Sequence, residues 1–378
     1  MKKIWIIALV VTLIACVAVC FTACGMLNKL TGNDDSETYT EPMKSAEEIK
    51  AALGNNYIVT VKVSGSSQSS SGGNDSSVEY FTTAYNGTYS WYGQEGAATG
   101  VLLKHNQDNS TYMYSYDTDS GKYDSVSLYG TADQRDPFYY VSAYVFYSSS
   151  ELTYSTKTST TFLNRSCTKY TYSQSYGIIG YNESVSEEWI VDNTTGAILK
   201  HSWDVSASAG GESGSANASF ECTRYDTNAS TVNSFIDTEV AKIIISEWDT
   251  TYFAQAGLTG TIAAPSGQLV SASYYKGDAV GDLSDEYTAV YKITGAKDTS
   301  AAQVNTLIQS FFTAGANRGE YTDEVYTSWQ DDNILETDED GISFKALIGT
   351  TGSNRVEISA DYYSNAWFVD ISVTKPAA

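Results

Sequence analysis

Glu188-Trp189-Ile190-Val191-Asp192-Asn193-Thr194-Thr195-Gly196-Ala197-Ile198-Leu199-Lys200 is two apolar-rich strands and the turn between them. The turn is Asp192 to Gly196, with Gly196 free to take positive φ. Strands on this pattern continue outward at 167–172, 184–192, 197–205 and 219–225. Upstream, a period of two recurs at 57–63, 78–83, 87–92, 101–105, 110–116 and 122–128. Such spacing marks an antiparallel sheet or barrel. Residues 64–77 and 207–217 are rich in Ser and Gly and are expected to be loops. The aromatic run 138–146, just after Pro137, fits a short helix or a strand.

Helices flank this β region. Ser45-Ala46-Glu47-Glu48 is a capping box opening a helix to Leu53, with Ile49 and Leu53 toward the core. Residues 232–248 carry apolar side chains near a 3.6 period and predict a second helix. A domain boundary is expected in 253–260. Beyond it come strands 269–275 and 287–294, an amphipathic helix 301–314 stopped by Gly315, and strands 342–348, 356–362 and 367–373. That order, ββαβββ, is a small α+β domain. The expected organisation is therefore 1–23, 24–44, 45–252 and 253–378.

The chain start has a separate pattern. Lys2 and Lys3 precede the apolar run 4–20, which ends in Phe21-Thr22-Ala23-Cys24-Gly25. This resembles the signal peptide of a bacterial lipoprotein, cut before the cysteine that carries the lipid. An uncleaved helical anchor is the other reading, since about 20 apolar residues span a bilayer. Either places the body of the chain outside the cytoplasmic membrane. Leu13-Ile14-Ala15-Cys16 is a competing acceptor segment, but it buries the cut inside the apolar run. Cys24 stands where that run gives way to Gly25 and Asn28, and is preferred. The resemblance implies a diacylglyceryl thioether on Cys24, a membrane attachment and an extracytoplasmic location. Residues 24–44 then form an acylated, acidic tether.

The hairpin carries a second resemblance. Trp189, Val191, Asp192, Thr195, Gly196, Leu199 and Lys200 match the W-x-V-D…T-G-x-x-L-K hairpin frequent in the LolA-like lipoprotein-carrier family, and 220–225 is the following strand. The likeness spans about 45–248. It implies an antiparallel half-barrel with helices, covering a cavity for an acyl chain or other apolar ligand. No arginine stands as in the carriers' cavity, so lipoprotein transfer itself does not follow.

Composition narrows the function. With 22 basic and 45 acidic residues the 378-residue chain has a net charge of −23. That excludes a nucleic-acid footprint and leaves no attraction to anionic lipid, so the anchor alone holds the protein to the membrane. Thirty Tyr and four Pro suit half-exposed sheet. Besides the N-terminal cysteines only Cys167 and Cys222 remain. A meander puts two strands between them, which favours free thiols over a bridge.

Catalytic patterns are absent. The two histidines, His105 and His201, lack zinc-ligand spacing, and no nucleophile elbow, Walker or dinucleotide motif occurs. Neither a catalytic residue, a metal site nor a cofactor is assigned. Asp117-Thr118-Asp119-Ser120-Gly121 and Asp338-Glu339-Asp340-Gly341 read as turns rather than calcium loops, because the twelfth position from Asp117 is Leu128. The adjacent carboxylates Glu187-Glu188 and Asp331-Asp332 point to opposite faces of a strand. The candidate ligand contacts are aromatic: Trp91, Tyr112, Tyr114, Tyr116, Tyr170, Tyr172, Trp189 and Trp203. Ordinary sheet packing competes with binding for all eight. The sequence thus points to a non-enzymatic surface lipoprotein taking an apolar or amphiphilic ligand. The alternative is a module that docks another envelope protein or a glycan.

Cys24→Ser is expected to leave the chain unlipidated, read by intact mass spectrometry of the membrane fraction. Continued acylation would make Cys16 or Cys20 the acceptor.

Overall fold

The computed structural model describes residues 37–70, 74–94, 100–130, 151–178, 181–277, 284–317, 336–337, 341–348 and 354–376. Cys24, most of the expected tether, the 138–146 run, Asp331-Asp332 and positions 338–340 lie outside them.

Along the chain come β1 (Tyr39–Pro42), α1 (Ala46–Leu53), β2 (Tyr57–Ser69), β3 (Asn74–Tyr85), β4 (Tyr89–Gln94), β5 (Gly100–His105), β6 (Thr111–Asp117) and β7 (Lys122–Leu128). Next are β8 (Glu151–Tyr154), β9 (Thr156–Phe162), β10 (Arg165–Ile178), β11 (Tyr181–Asp192), β12 (Ile198–Ala209) and β13 (Glu212–Asp226). The remainder is α2 (Ala229–Val240), α3 (Thr250–Gln255), β14 (Gln268–Tyr275), β15 (Ser284–Thr294), α4 (Lys297–Thr313), β16 (Ala316–Asn317), β17 (Glu336–Thr337), β18 (Gly341–Ile348), β19 (Arg355–Tyr363) and β20 (Ala366–Pro376). The protein is mainly β, and the strands named below pair antiparallel.

Contacts gather the described residues into two units. The first draws on 37–87, 92–94 and 151–234; the second on 88–91, 100–130 and 235–376. This differs from the expected division at 252 and 253. Ladder hydrogen bonds tie β7 to β14, with Val126 opposite Ala272, so strands 100–128 join the C-terminal unit. The expected linker is not one either. Tyr252 and Phe253 lie on α3 and are buried in the second core.

In the first unit the strands pair in the order β9–β10–β11–β12–β13–β2–β3. The capping box at α1 forms: the Glu48 backbone N–H donates to Ser45 Oγ, and Ser45 N–H donates to the Glu48 carboxylate. The helix delivers Ile49 and Leu53 to a core with Val59, Val61, Leu199 and Cys222. Cys167 on β10 and Cys222 on β13 are free. A smaller cluster joins Leu152, Tyr170, Val191 and Ile198.

The expected Ser/Gly loops prove to be strand. β2 and β3 stay paired out to Gln68 and Asn74, and β12 and β13 to Ala209 and Glu212. Backbone ladder bonds do not need apolar side chains. Here hydroxyls and amides bond across the ladder, as in Ser64–Ser219 at 2.8 Å, Ser184–Ser206 at 2.8 Å and Asn217 Nδ2 to Ser66 Oγ at 2.8 Å.

The second unit pairs β5–β6–β7–β14–β15–β20–β19–β18, with β16 and β17 both on β18. Helix α4 buries Val304, Leu307, Ile308 and Phe311 in a core shared with Ile358, Val369 and Ile371. The expected β, β, α, β, β, β order holds for β14, β15, α4, β18, β19 and β20. The expected helix 232–248 stops at Val240. Beyond it the backbone pairs with Tyr123 instead: Tyr123 N–H donates to Lys242 O at 3.0 Å, and Ile244 N–H to Tyr123 O at 3.0 Å.

The β11–β12 turn is held by a buried network. The Asp192 carboxylate accepts from Arg165 Nη2 at 2.9 Å, Thr195 Oγ1 at 2.6 Å and Thr195 N–H at 3.0 Å. Thr195 Oγ1 in turn accepts from Tyr225 OH at 3.1 Å. Gly196 sits at φ 80°, a conformation costly for any residue with a Cβ. Burial opposes the charge on Asp192, but the bonds from Arg165 and Thr195 outweigh it and hold the carboxyl below its usual range. The network's stabilisation is therefore full above the unfolded carboxyl value, about 3.9, and is lost as pH falls through the lower folded value. Asp192→Asn is expected to cost about 3 kcal/mol at neutral pH by stranding Arg165. Urea midpoints should show that difference shrinking as the pH falls below about 4.

Candidate functional site

Four of the eight candidate aromatics converge on one face of the first unit's sheet. Cross-strand partners share a face. Tyr170 lies opposite Trp189, Trp189 opposite His201, and His201 opposite Phe220. The next row runs Tyr172, Glu187, Trp203 and Ala218. Trp189 and His201 stack with ring centroids 5.0 Å apart at 13°, and His201 stacks on Phe220 at 6.5 Å. Tyr154 meets the Tyr170 ring edge-on at 5.1 Å. Trp203 is buried, whereas Trp189, Tyr172 and Phe220 are half-buried.

Within this face stands Glu187. Its carboxylate is 3.7 Å from His201 Nε2, and that nitrogen has no hydrogen-bond partner among the described residues. The neighbouring Glu188 points to the other face, as strand alternation requires. There Lys169 and Lys200 both pair with it. Burial opposes the Glu188 charge, but the two lysines together hold its carboxyl below the usual range.

Further out, the Glu188 face becomes a hydroxyl surface. Ser175, Ser184, Ser206, Ser215 and Gln68 form one row across five strands. With Asn182, Ser208 and Ser213 they line an open concavity of about 610 Å3. Its lining offers hydroxyls and amides, not the apolar wall an acyl chain needs.

The other four candidates lie in the second unit and serve its packing. Tyr112 and Tyr114 are buried in that core, and Tyr112 OH donates to Leu269 O at 3.0 Å. Trp91 Nε1 donates to Tyr123 OH at 3.0 Å, and Tyr123 OH donates to the buried Glu239 at 3.1 Å. Tyr116 packs edge-on against Tyr123 at 5.2 Å. The register shift beside Tyr116 leaves Asp124 of β7 unpaired, so Tyr112, Tyr114 and Tyr116 keep one face of β6, the face on the second core. Tyr112 and Tyr114 thus stand in the second core, and Trp91 and Tyr116 pack against it.

Glu187, His201 and Phe220 are not among the candidate ligand contacts read from the sequence. Their signal was present in the alternation from Trp189 and Trp203, but it needs the strand pairing to be read.

Nothing gathers catalytic groups in the described residues. His105 has both ring nitrogens at hydroxyls, Ser90 Oγ at 2.8 Å and Thr111 Oγ1 at 3.3 Å. Asp117 closes its own turn, accepting from Asp119 N–H and Ser120 N–H. Burial pushes the Cys222 thiol up to about 12, which makes it inert. Among the described residues no set of three His, Cys, Asp or Glu is placed to hold a metal, and no helix is long and apolar enough to cross a membrane.

No family model and no curated protein matches the chain. Among solved structures, the Pseudomonas aeruginosa MucA/MucB complex aligns at 10% identity over 87% of this chain and 96% of the other, with a TM-score of 0.17. MucB in complex with MucA(peri) aligns at 9% identity over 88% and 97%, with a TM-score of 0.15. Pseudomonas aeruginosa OccK5 (OpdH) aligns at 7% identity over 85% and 97%, with a TM-score of 0.11. At such TM-scores the likenesses carry no argument, and function rests on this chain's own residues.

Tyr112→Phe is expected to lower stability by about 1 kcal/mol through the lost bond to Leu269. It should leave ligand binding unchanged, measured by calorimetry on the same preparations.

Proposed function

We propose that the protein is a non-enzymatic, extracytoplasmic lipoprotein anchored through Cys24, whose first unit binds an apolar or amphiphilic ligand on a LolA-like half-barrel sheet. The observation that carries this is the aromatic face of β10–β13. Tyr170, Tyr172, Trp189, Trp203, His201 and Phe220 come from four adjacent strands onto one side. Tyr170 and Trp203 are buried in this face, and the half-buried Tyr172, Trp189, His201 and Phe220 offer contact area with polar edges, suited to a molecule that is part apolar. The hairpin resemblance and the lipoprotein-like start support the same reading, with the acidic body held at the membrane by its anchor.

Docking of another envelope protein is the second reading. It is favoured by Tyr363, which is 53% exposed yet stacks on Phe368 with centroids 4.1 Å apart, on the second unit. Exposed stacked aromatics are common anchors of protein interfaces.

Mass spectrometry of lipids copurifying with the mature chain tests the first reading. A bound amphiphile is expected, and Trp189→Ala should lower its retention and weaken binding of dodecyl maltoside about tenfold. A ligand-free protein that does not bind dodecyl maltoside would favour docking.

A further inference from the structure

We propose that Glu187 makes the aromatic face selective for amphiphiles with a cationic head of the quaternary-ammonium type. The inference rests on the reading that this face binds an amphiphile, and it names the head group.

Glu187 is the only carboxylate in the two described rows Tyr170–Trp189–His201–Phe220 and Tyr172–Glu187–Trp203–Ala218. Its side chain is 13% exposed. Among the described residues no lysine or arginine forms an ion pair with it. Among the described residues its one ion-pair neighbour is His201, whose nitrogen at 3.7 Å is beyond hydrogen-bond distance. An imidazole carries charge only when protonated. Glu188, one residue on and on the opposite face, has two lysines. The contrast separates a carboxylate whose charge the fold balances from one whose charge it leaves to something else.

The surroundings define that something. Tyr172 and Trp203 stand directly opposite Glu187 on the two neighbouring strands, and Trp189 lies two residues along its own strand. Aromatic faces attract cations, Trp most strongly, within about 6 Å of the ring centroid. Rings around one carboxylate suit a cation that is large, weakly hydrated and makes no demand for hydrogen-bond acceptors. A metal ion would need several oxygen ligands. No such gathering of carboxylates is present among the described residues. The apolar remainder of the ligand would lie along the aromatic rows. The net charge of −23 raises the local concentration of such cations without selecting among them.

The test titrates the full-length Cys24→Ser chain, which carries no acyl group of its own at that position, with three twelve-carbon amphiphiles below their micelle concentrations. Dodecyltrimethylammonium is expected to bind about tenfold more tightly than dodecyl maltoside, and dodecyl sulfate more weakly than either. Glu187→Gln should abolish the preference. Glu47→Gln, on α1 away from the aromatic rows, should alter neither. Choline chloride should displace dodecyltrimethylammonium from the chain with Glu187 intact, where sodium chloride at equal ionic strength does not. This competition holds even if the Glu187→Gln chain does not fold. Equal binding of all three amphiphiles, a preference that survives Glu187→Gln, or no advantage of choline over sodium would each overturn the head-group inference. Those results would leave the amphiphile reading standing. If none of the three binds, the amphiphile reading falls as well.

Discussion

Register is the constraint on which the first unit's aromatic face depends, and the Asp192 carboxylate fixes it. Asp192 ties Arg165 at the start of β10 to Thr195 in the β11–β12 turn, and Thr195 in turn receives Tyr225 from β13. One side chain thus pins three of the four strands that carry the aromatic rows. The register shift between Ile190 and Val191 lies immediately beside it. A slip of one residue in a strand moves every side chain to the other face. Trp189 and Glu187 would then exchange places with Glu188, and the lysine-paired and aromatic sides would no longer be distinct.

Part of this was legible in the sequence. The β11–β12 hairpin stood out because Gly196 supplies the positive φ that its turn needs, and the α1 cap because Ser45 and Glu48 sit at the right spacing. The ββαβββ order followed from clear changes of period. Other features were not legible, for physical reasons. Serine-rich strand ends look like loops, because the apolar alternation that identifies a strand is missing while the backbone ladder persists. The pairing of β7 with β14 joins segments far apart in sequence and leaves no local trace. Alternation groups Tyr112 with Tyr114, and Trp189 with Val191, equally well. It cannot say what covers each group until the neighbouring strands are known.

The two units use tyrosine differently. In the second, hydroxyls are drawn inward to fixed acceptors: Tyr112 to Leu269 O, Tyr123 to Glu239, and Tyr291 to Glu247 O at 2.8 Å. A buried phenol is tolerated when its hydroxyl is bonded. In the first unit Tyr170 and Tyr172 accompany indole and imidazole rings across a sheet surface. The high tyrosine content therefore serves two demands: polar-tipped core filler, which Tyr225 supplies in the first unit as well, and amphipathic sheet surface.

The hydroxyl rows of β10–β13 and β2 divide these long strands into unequal halves. Near the turn at Asp192 the strands are clamped by Ile190, Leu199 and Cys222 in a packed core. Toward Ser175, Ser206 and Ser215 the backbone hydrogen bonds have little beneath them but other hydroxyls and water. Such stretches open at far lower free energy than the core that anchors them. The sheet can therefore fray from its serine end inward, strand by strand, without unfolding. Amide exchange would follow a gradient along each strand rather than a boundary between strands.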